Sequence, residues 1–310
     1  MGDDRKSQLT LLAFIAMVIL AGGNAVAVKF TVLELPPFWG ASLRFGAAAA
    51  ILLVLMAIRR APWPRGMALW GAVIYGVLGF GAPFAFFYWG VQRASAGTGQ
   101  VILACAPLLT VFLAFVHRLE PLRLRGILGS LVALGGFFVV FRDQLDANVP
   151  ASSLIAFVLG AASFAETGVI VKLIPQINGL TRNAIGMATG TGLLLLLSAV
   201  TGEPRTLPER PETWIAIAYL VVGGSIAVFS LYLFVLKNWT ASVTSYEFVL
   251  IPFVTVILGA WLLGERVSAV FALGAVLVLA GVYLGALSGG KPKRAKLSPK
   301  ETSAEIRQKS

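Results

Sequence analysis

The chain has 310 residues, of which 58% are hydrophobic and 13% are charged, and its mean hydropathy is +0.86. A soluble domain carries about 25% charged residues, so this composition excludes a water-soluble fold of this size and also a disordered chain. A single cysteine, Cys105, excludes a disulfide scaffold, and no Gly-Lys-Ser/Thr phosphate loop is present to drive an ATP engine. The net charge of +11 therefore belongs to loops and a tail rather than to a nucleic-acid surface.

Long, continuous apolar runs predict helices that cross a membrane, because about twenty apolar residues span the hydrocarbon core. Short separators that carry proline, arginine and glutamate divide the chain into ten such runs. The predicted spans are 9–28, 38–58, 67–92, 95–116, 124–141, 152–171, 182–200, 213–236, 241–263 and 267–287. The fold predicted from them is an all-α integral membrane protein with ten transmembrane helices.

The basic residues of the loops predict the orientation, because cytoplasmic loops carry an excess of lysine and arginine. With the N-terminus inside, eleven basic loop residues before the tail lie in the cytoplasm and six lie outside. Both termini are therefore predicted to be cytoplasmic, with a short N-terminal segment over 1–8. Residues 288–310 hold seven basic residues and no aromatic one, which predicts a disordered basic tail that either fixes the topology or binds anionic lipid.

The second half of the chain repeats the first. A shift of 145 residues lays Val77–Val139 over Val222–Leu284 without a gap, and fourteen of the paired positions are identical. Because each unit holds five helices, an odd number, the second unit begins on the opposite side of the membrane and is inverted. The predicted units are 9–141 and 152–287. Inverted repeats of this kind are typical of transporters that alternate access around a site near the midplane.

Three segments carry a resemblance to a known family. They are Leu43-Arg44-Phe45 after Pro36-Pro37, the run from Ser95-Ala96 through Pro107-Leu108-Leu109-Thr110 to Leu119-Glu120-Pro121, and the run from Thr240-Ala241-Ser242 through Pro252-Phe253-Val254 to Leu263-Gly264-Glu265-Arg266. With these segments the chain resembles, over 9–287, the drug/metabolite transporter superfamily with two EamA repeats. Its pattern is most similar to bacterial amino-acid exporters of the YddG type, although Ala21-Gly22 stands where the family often has Trp-Gly. The resemblance implies a central cavity lined by helices 1, 3, 4, 6, 8 and 9, with helices 5 and 10 peripheral.

Ionisable groups inside the spans are few, and such groups are costly in hydrocarbon and usually mark a pathway. Glu166 and Glu247 are predicted to face the cavity and to bind a proton or a substrate ammonium group. The alternative for each is snorkelling or a structural hydrogen bond in the protonated form. Arg44 is predicted to anchor the second span by snorkelling to the interface, and the alternative is a carboxylate partner within the bundle.

Polar and aromatic residues on the other spans are candidates for the cavity lining, which would suit amphiphilic solutes such as amino acids with large side chains. They are Asn24, Tyr88, Trp89, Gln100, Ser225, Tyr232, Ser245 and Tyr246. Tyr88 and Trp89 also fit an aromatic belt at the membrane boundary.

Two pairs of residues at equivalent repeat positions are predicted hinges. Pro107 pairs with Pro252 and Gly79 pairs with Gly224, and breaks in the helix at these points would let each half swing. Simple close packing is the alternative. The small-residue spacings in 186–190 and 281–285 would also serve a dimer interface, so both a monomer and a dimer are compatible with the sequence.

These features predict a secondary transporter rather than an enzyme, without a cofactor. A lone histidine, His117, and a lone cysteine build neither a metal site nor a catalytic dyad. The predicted function is the export of amino acids, including aromatic and other neutral ones, across a bacterial inner membrane. The expected partners are the small-molecule substrate and membrane lipid, and no nucleic acid. The alternative is an exporter of other amphiphilic metabolites or drugs, such as purines or organic cations. The inverted repeat disfavours a channel or a receptor.

Overall fold

The apolar runs fold into helices in the computed structural model, which describes residues 2–91, 96–141, 149–263 and 269–287. Within these ranges the chain is helical and contains no strand; nine helices are long and apolar enough to cross a membrane, and a shorter apolar helix covers Val270–Gly285. We number the helices α1 to α10 in chain order. Five of them are uninterrupted: α1 (Gly2–Thr31), α2 (Pro37–Ile58), α5 (Leu124–Phe141), α6 (Ala151–Leu173) and α7 (Gly179–Val200).

The other five helices consist of two or three segments each. They are α3 (Met67–Gly76, Val77–Gly81 and Ala82–Val91), α4 (Ala96–Leu103 and Ala106–Val116), α8 (Pro211–Val221, Val222–Ala227 and Val228–Asn238), α9 (Ala241–Thr244 and Glu247–Leu263) and α10 (Ala269–Val282 and Tyr283–Leu287). The middle segments of α3 and α8 and the last segment of α10 are π-helical. Such wider turns are rare and occur often at functional sites.

The predicted spans differ from these helices mainly at their ends. The helix α1 already begins at Gly2, so residues 2–8 of the predicted N-terminal segment are part of it; no proline interrupts the chain there. The helix α7 begins before the predicted residue 182 because Asn178 caps it and accepts a hydrogen bond from the amide of Leu180 at 3.0 Å. The predicted basic tail over 288–310, together with Ser95 and the 264–266 part of the second motif, lies outside the described residues.

The inverted repeat is visible in the packing of α5 against α10. Gly129 and Gly136 of α5 face Gly274 and Gly281 of α10, which are their repeat equivalents. A Cβ atom on Gly136 would lie 2.7 Å from the Cβ atom of Leu277, and one on Gly281 would lie 2.8 Å from the Cα atom of Ala133. These glycines therefore allow two helix backbones to approach closely, as small residues do in membrane helices.

The glycine spacings in 186–190 and 281–285 pack within the chain, and the choice between a monomer and a dimer stays a prediction. Gly281 and Gly285 are covered within the chain by α5 and by Tyr246, and Gly186 and Gly190 pack against the side chains of α3. A Cβ atom on Gly186 would lie 2.7 Å from the ring of Tyr75. These positions are used for packing inside one chain because the helices of the two repeats meet there.

The π-helical segments of α3 and α8 begin at the equivalent residues Val77 and Val222, whereas the breaks of α4 and α9 do not follow the repeat. In α4 the helix is interrupted at Ala104 and Cys105, whereas in α9 it is interrupted at Ser245 and Tyr246, and a shift of 145 residues does not superpose the two sites. Pro107 consequently starts a helical segment, where its missing amide costs nothing. Pro252 lies inside a continuous helical segment. The hinge roles of both prolines stay predictions.

Candidate functional site

A buried arginine lies at the contact between the two repeats. Arg44 of α2 is 6% exposed, and its Nε donates to the Oγ atom of Ser225 at 2.8 Å while its Nη2 donates to the carbonyl of Gly224 at 2.8 Å. Asn24 of α1 donates to the same Gly224 carbonyl at 3.3 Å. Both acceptors belong to the π-helical segment of α8. We call Asn24, Arg44, Gly224 and Ser225 the arginine cluster.

The predicted snorkelling of Arg44 is wrong, because its side chain turns into the bundle and bonds to α8. The guanidinium carbon lies 4.8 Å from the centre of the Phe45 ring and 5.9 Å from that of Phe84, which gives the cation a favourable aromatic environment. Among the described residues no carboxylate forms an ion pair with it. The Arg44 side chain is instead held inside the bundle by its hydrogen bond to the carbonyl of Gly224, which lies in the π-helical segment of the other repeat.

Six phenylalanine rings fill the middle of the bundle. They are Phe45, Phe80, Phe84, Phe164, Phe229 and Phe248, which we call the aromatic cluster. The closest ring centres, those of Phe80 and Phe229, are 4.5 Å apart. On one side the cluster contacts Arg44, and on the other it contacts Tyr75, whose ring centre is 5.4 Å from that of Phe80.

Glu247 directly precedes Phe248 of the aromatic cluster. It is the first residue of the long segment of α9, it is 5% exposed, and it follows the break in that helix. No described residue forms a hydrogen bond or ion pair with its carboxylate. Tyr75 and Tyr232 lie close enough to interact with it electrostatically. Glu247 is thus a buried acid in the first turn of a helical segment, where the helix dipole favours a negative charge.

Glu166, the second predicted acid, forms a pair with the only histidine in the sequence. The Nε2 atom of His117, just after α4, lies 2.9 Å from the Oε1 atom of Glu166 on α6. The other carboxylate oxygen of Glu166 is buried and has no hydrogen-bond partner among the described residues. Sequence reasoning set His117 aside because it could not build a metal site, and it missed this pair because α4 and α6 become neighbours only in the folded bundle.

The other predicted lining residues divide between the interior and the periphery. Tyr88 packs edge-on against Phe38 with ring centres 6.0 Å apart and lies 6.3 Å from Phe84, so it extends the aromatic cluster toward the α1–α2 side. Trp89 is exposed, as the aromatic-belt alternative predicts. Tyr232 is buried near Glu247.

Ser245, Tyr246 and Gln100 do not join these groups. The hydroxyl of Ser245 donates to the carbonyl of Ser242 at 2.8 Å within its own turn. The Tyr246 hydroxyl lies 3.1 Å from the Oγ atom of Ser130 on α5, so this side chain packs toward α5 and α10 rather than toward the aromatic cluster. Gln100 is half-buried on the first segment of α4.

Three loop carboxylates cap helices that belong to the other repeat. Glu120 accepts from the amides of Ala241 and Ser242 at 2.9 and 3.3 Å at the start of α9. Glu203 accepts from the amides of Phe38 and Trp39 at 3.2 and 2.8 Å at the start of α2. Carboxylates satisfy the free amides at a helix N-terminus and interact favourably with its dipole.

The third carboxylate, Glu34, accepts from the amide of Arg210 at 3.1 Å and pairs with its Nε at 3.4 Å, directly before α8. We call Glu34, Glu120 and Glu203 the inter-repeat caps. Glu120 lies on the face of the bundle that holds the N-terminus, and Glu34 and Glu203 lie on the opposite face. The sequence offers one signal for them, because each lies within two residues of a proline in a short loop.

Two cavities lie at the sides of the bundle rather than at its centre. One, of about 220 Å³, is lined by apolar residues of α1, α9 and α10, including Phe14, Val254 and Leu279. The other, of about 460 Å³, lies among α2, α3, α6 and α7 and includes Trp89 and Ile155. Among the described residues no group of three histidine, cysteine or acidic side chains could hold a metal ion.

Comparison with known families decides the class of protein. The EamA-like transporter family matches the chain twice, over residues 8–142 and 151–286. The chain belongs to this family. EamA proteins form part of the drug/metabolite transporter superfamily, so the protein is a multi-pass membrane transporter built from two EamA repeats. The double match agrees with the packing of the repeat-equivalent glycines of α5 and α10.

Similar proteins are also named as transporters. The chain is 29% identical over 285 residues to an uncharacterized inner membrane transporter, YedA, of Escherichia coli strain K12, covering 88% of this chain and 91% of that protein. It is 27% identical over 297 residues to the uncharacterized transporter YyaM of Bacillus subtilis strain 168, covering 92% and 95%. A crystal structure with 19% identity has the same fold, with a TM-score of 0.78 over 91% of this chain and 99% of that one. These names point to a transporter rather than an enzyme.

Proposed function

We propose that this EamA transporter exports amino acids, including aromatic and other neutral ones, across the inner membrane by alternating access. The observation that carries the proposal is the arrangement of charge around the aromatic cluster. The buried cation Arg44 lies against Phe45 and Phe84 of this cluster, and the buried acid Glu247 directly precedes Phe248. A cation beside aromatic rings suits a solute that carries a carboxylate and a large apolar side chain, and the acid is a group that can bind a proton.

The two acids have a role distinct from that of the arginine in this proposal. An arginine stays charged in proteins, whereas a carboxylate takes up and releases protons. We propose that Glu166 and Glu247 are the proton-binding groups of the transport cycle. Both lie within the half of the bundle that faces the N-terminal side, since Glu166 is seven residues before the end of α6 and Glu247 is near the start of α9.

Alternating access requires contacts between the repeats that form and break. The inter-repeat caps supply them on both faces, with Glu120 on one and Glu34 and Glu203 on the other. The excess of basic residues in the loops supports a cytoplasmic location for both termini. The name of the Escherichia coli relative supports an inner-membrane location. We regard the protein as an exporter that acts without a cofactor.

Uptake into proteoliposomes tests the proposal. Purified protein is reconstituted, and entry of a panel of amino acids and organic cations is measured with and without a pH gradient. Saturable uptake of aromatic and neutral amino acids is the expected result. Uptake of none of the amino acids would overturn it.

A second candidate function, export of other amphiphilic metabolites or organic cations, is favoured by one observation. Glu247 is near enough to Tyr75 and Tyr232 to interact with them electrostatically. In the sequence it lies between Tyr246 and Phe248, and Phe248 belongs to the aromatic cluster. An acid among aromatic rings is a suitable site for a cation. The same panel separates the two candidates, since cation uptake without amino-acid uptake would favour the second.

A further inference from the structure

We infer that the arginine cluster is the site that binds the substrate's carboxylate, with Arg44 as the anion-binding group and Asn24 as its partner for the neighbouring amino group. This inference rests on the proposed function, because it assigns one part of the amino acid to one part of the bundle. It starts from the charge on Arg44.

The charge of Arg44 is not balanced within the described part of the chain. The side chain is 6% exposed and makes two hydrogen bonds, to a serine hydroxyl and to a backbone carbonyl, neither of which carries a charge. A buried cation without an anion is costly, and removing water from it is repaid only by an opposite charge in good geometry. A bound carboxylate would supply that charge.

The guanidinium also keeps a free donor for such a ligand. Nε and Nη2 are occupied by Ser225 and Gly224, whereas Nη1 forms no hydrogen bond to a described residue. Arginine is the side chain best suited to carboxylates because its planar fork offers several donors. The faces of Phe45 and Phe84 lie against it, so a ligand bound there would place an apolar side chain on the aromatic cluster.

Asn24 provides the complementary atom. Its Nδ2 donates to the carbonyl of Gly224, the atom that Arg44 also binds, and this bond fixes the orientation of the amide. Its Oδ1 is buried and has no hydrogen-bond partner in the part of the chain that the structure describes. Buried acceptors are normally paired, and an ammonium group next to the bound carboxylate would satisfy this one. Arg44 and Asn24 both donate to the Gly224 carbonyl, so the remaining donor of Arg44 and the remaining acceptor of Asn24 lie close together, as the two ends of an amino-acid head group require.

A competing explanation is that Arg44 only holds the π-helical segment of α8 in place. Ligand analogues tested on the wild-type protein separate the two explanations without any mutation. Phenylalanine carries both head groups, 3-phenylpropionate lacks the amino group, and phenethylamine lacks the carboxylate. We expect phenylalanine to inhibit counterflow most strongly and phenylpropionate next, with phenethylamine weaker than phenylalanine by about tenfold or more.

Three variants sharpen the test. In Arg44→Lys and Arg44→Gln, phenylalanine should inhibit counterflow no more strongly than phenethylamine does. In Asn24→Ala, phenylalanine should inhibit no more strongly than phenylpropionate does. Arg182→Lys is the matched control, since Arg182 is a buried arginine of α7 that bonds to the Pro175 carbonyl away from the cluster. It should leave the order of the three ligands unchanged.

The possible failures are distinguishable. If amino acids are transported but phenethylamine competes as well as phenylalanine, the inference about Arg44 is overturned while the proposed function stands. If phenylpropionate is transported in an Arg44-dependent manner but amino acids are not, the proposed function is overturned and the carboxylate site stands. An Arg44→Gln protein that keeps the wild-type preference for carboxylates would overturn the inference by itself, and binding of none of the three ligands would overturn both.

Discussion

The arginine cluster and the two acids lie in opposite halves of one bundle and hold their charges in different ways. Arg44 bonds to a π-helical carbonyl and a serine hydroxyl between the repeats. Glu166 pairs with a histidine, and the Glu247 carboxylate forms no hydrogen bond or ion pair with a described residue. A fixed cation is neutralised only by an anion, whereas an acid is also neutralised by a proton. In our proposal, one half therefore binds the carboxylate of the ligand and the other exchanges protons.

The largest expected effect separates these two roles by pH. We expect Glu247→Gln to remove most of the dependence of transport on the pH gradient, because glutamine keeps the shape of the side chain but binds no proton. Arg44→Lys should lower transport at every pH and keep the dependence of the wild type. The measurement is uptake in proteoliposomes over a range of pH gradients. Equal pH dependence of transport in the Glu247→Gln protein and the wild type would contradict the role of Glu247 in proton exchange.

A smaller effect concerns the glycines where the repeats touch. In Gly224→Ala the new methyl group would collide with the Asn24 side chain, and in Gly79→Ala it would lie 3.2 Å from the Cγ2 atom of Thr167. Overpacking of this kind costs about 1–3 kcal/mol, so both variants should unfold at a lower temperature, Gly224→Ala more than Gly79→Ala. Only Gly224→Ala should also weaken ligand binding.

The control for this pair is Gly192→Ala in α7, where nothing lies within 4 Å of the added carbon. Alanine favours a helix over glycine by about 1 kcal/mol, so this protein should be as stable as the wild type or more so. Thermal unfolding in detergent gives the order of the three variants. A Gly79→Ala protein less stable than Gly224→Ala would contradict the packing described above.

Substitutions in the inter-repeat caps should shift the equilibrium between the state open on the N-terminal face and the state open on the opposite face. Glu120→Gln weakens a cap on the N-terminal face and Glu203→Gln one on the opposite face, each by about 0.5–2 kcal/mol. Each variant should favour the state that is open on its own face. Distances between spin labels on the two repeats measure this, with Glu212→Gln as the control because Glu212 is an exposed acid in the first turn of α8. Shifts in the same direction for both caps would contradict a gating role.

The smallest effect is expected at His117. In His117→Gln the amide of glutamine can still donate to Glu166, so transport at neutral pH should change by less than about twofold. Its pH dependence should move only slightly, because Glu166 keeps its carboxylate and a donor to it. A complete loss of transport in this variant would instead make the histidine the principal proton-binding group.

The sequence allowed the helices and the inverted repeat to be predicted, because both depend on local apolar runs and on residues such as Gly129 and Gly274 that recur at a fixed spacing. It did not allow the partners of the polar groups to be predicted. Arg44 bonds to a carbonyl that a π-helical turn leaves available, and side-chain patterns do not encode that turn. Glu203 caps α2 and Glu166 meets His117 only because distant helices pack together.

Proton movement measured together with substrate movement tests the central claim most directly. Proteoliposomes containing a pH-sensitive dye are given an amino-acid gradient, and the internal pH is recorded for the wild type and for the Glu166→Gln, Glu247→Gln double variant. We predict that the gradient moves protons in the wild type and that the double variant transports the amino acid without moving them. Equal proton movement in both proteins would contradict the assignment of proton exchange to the two acids.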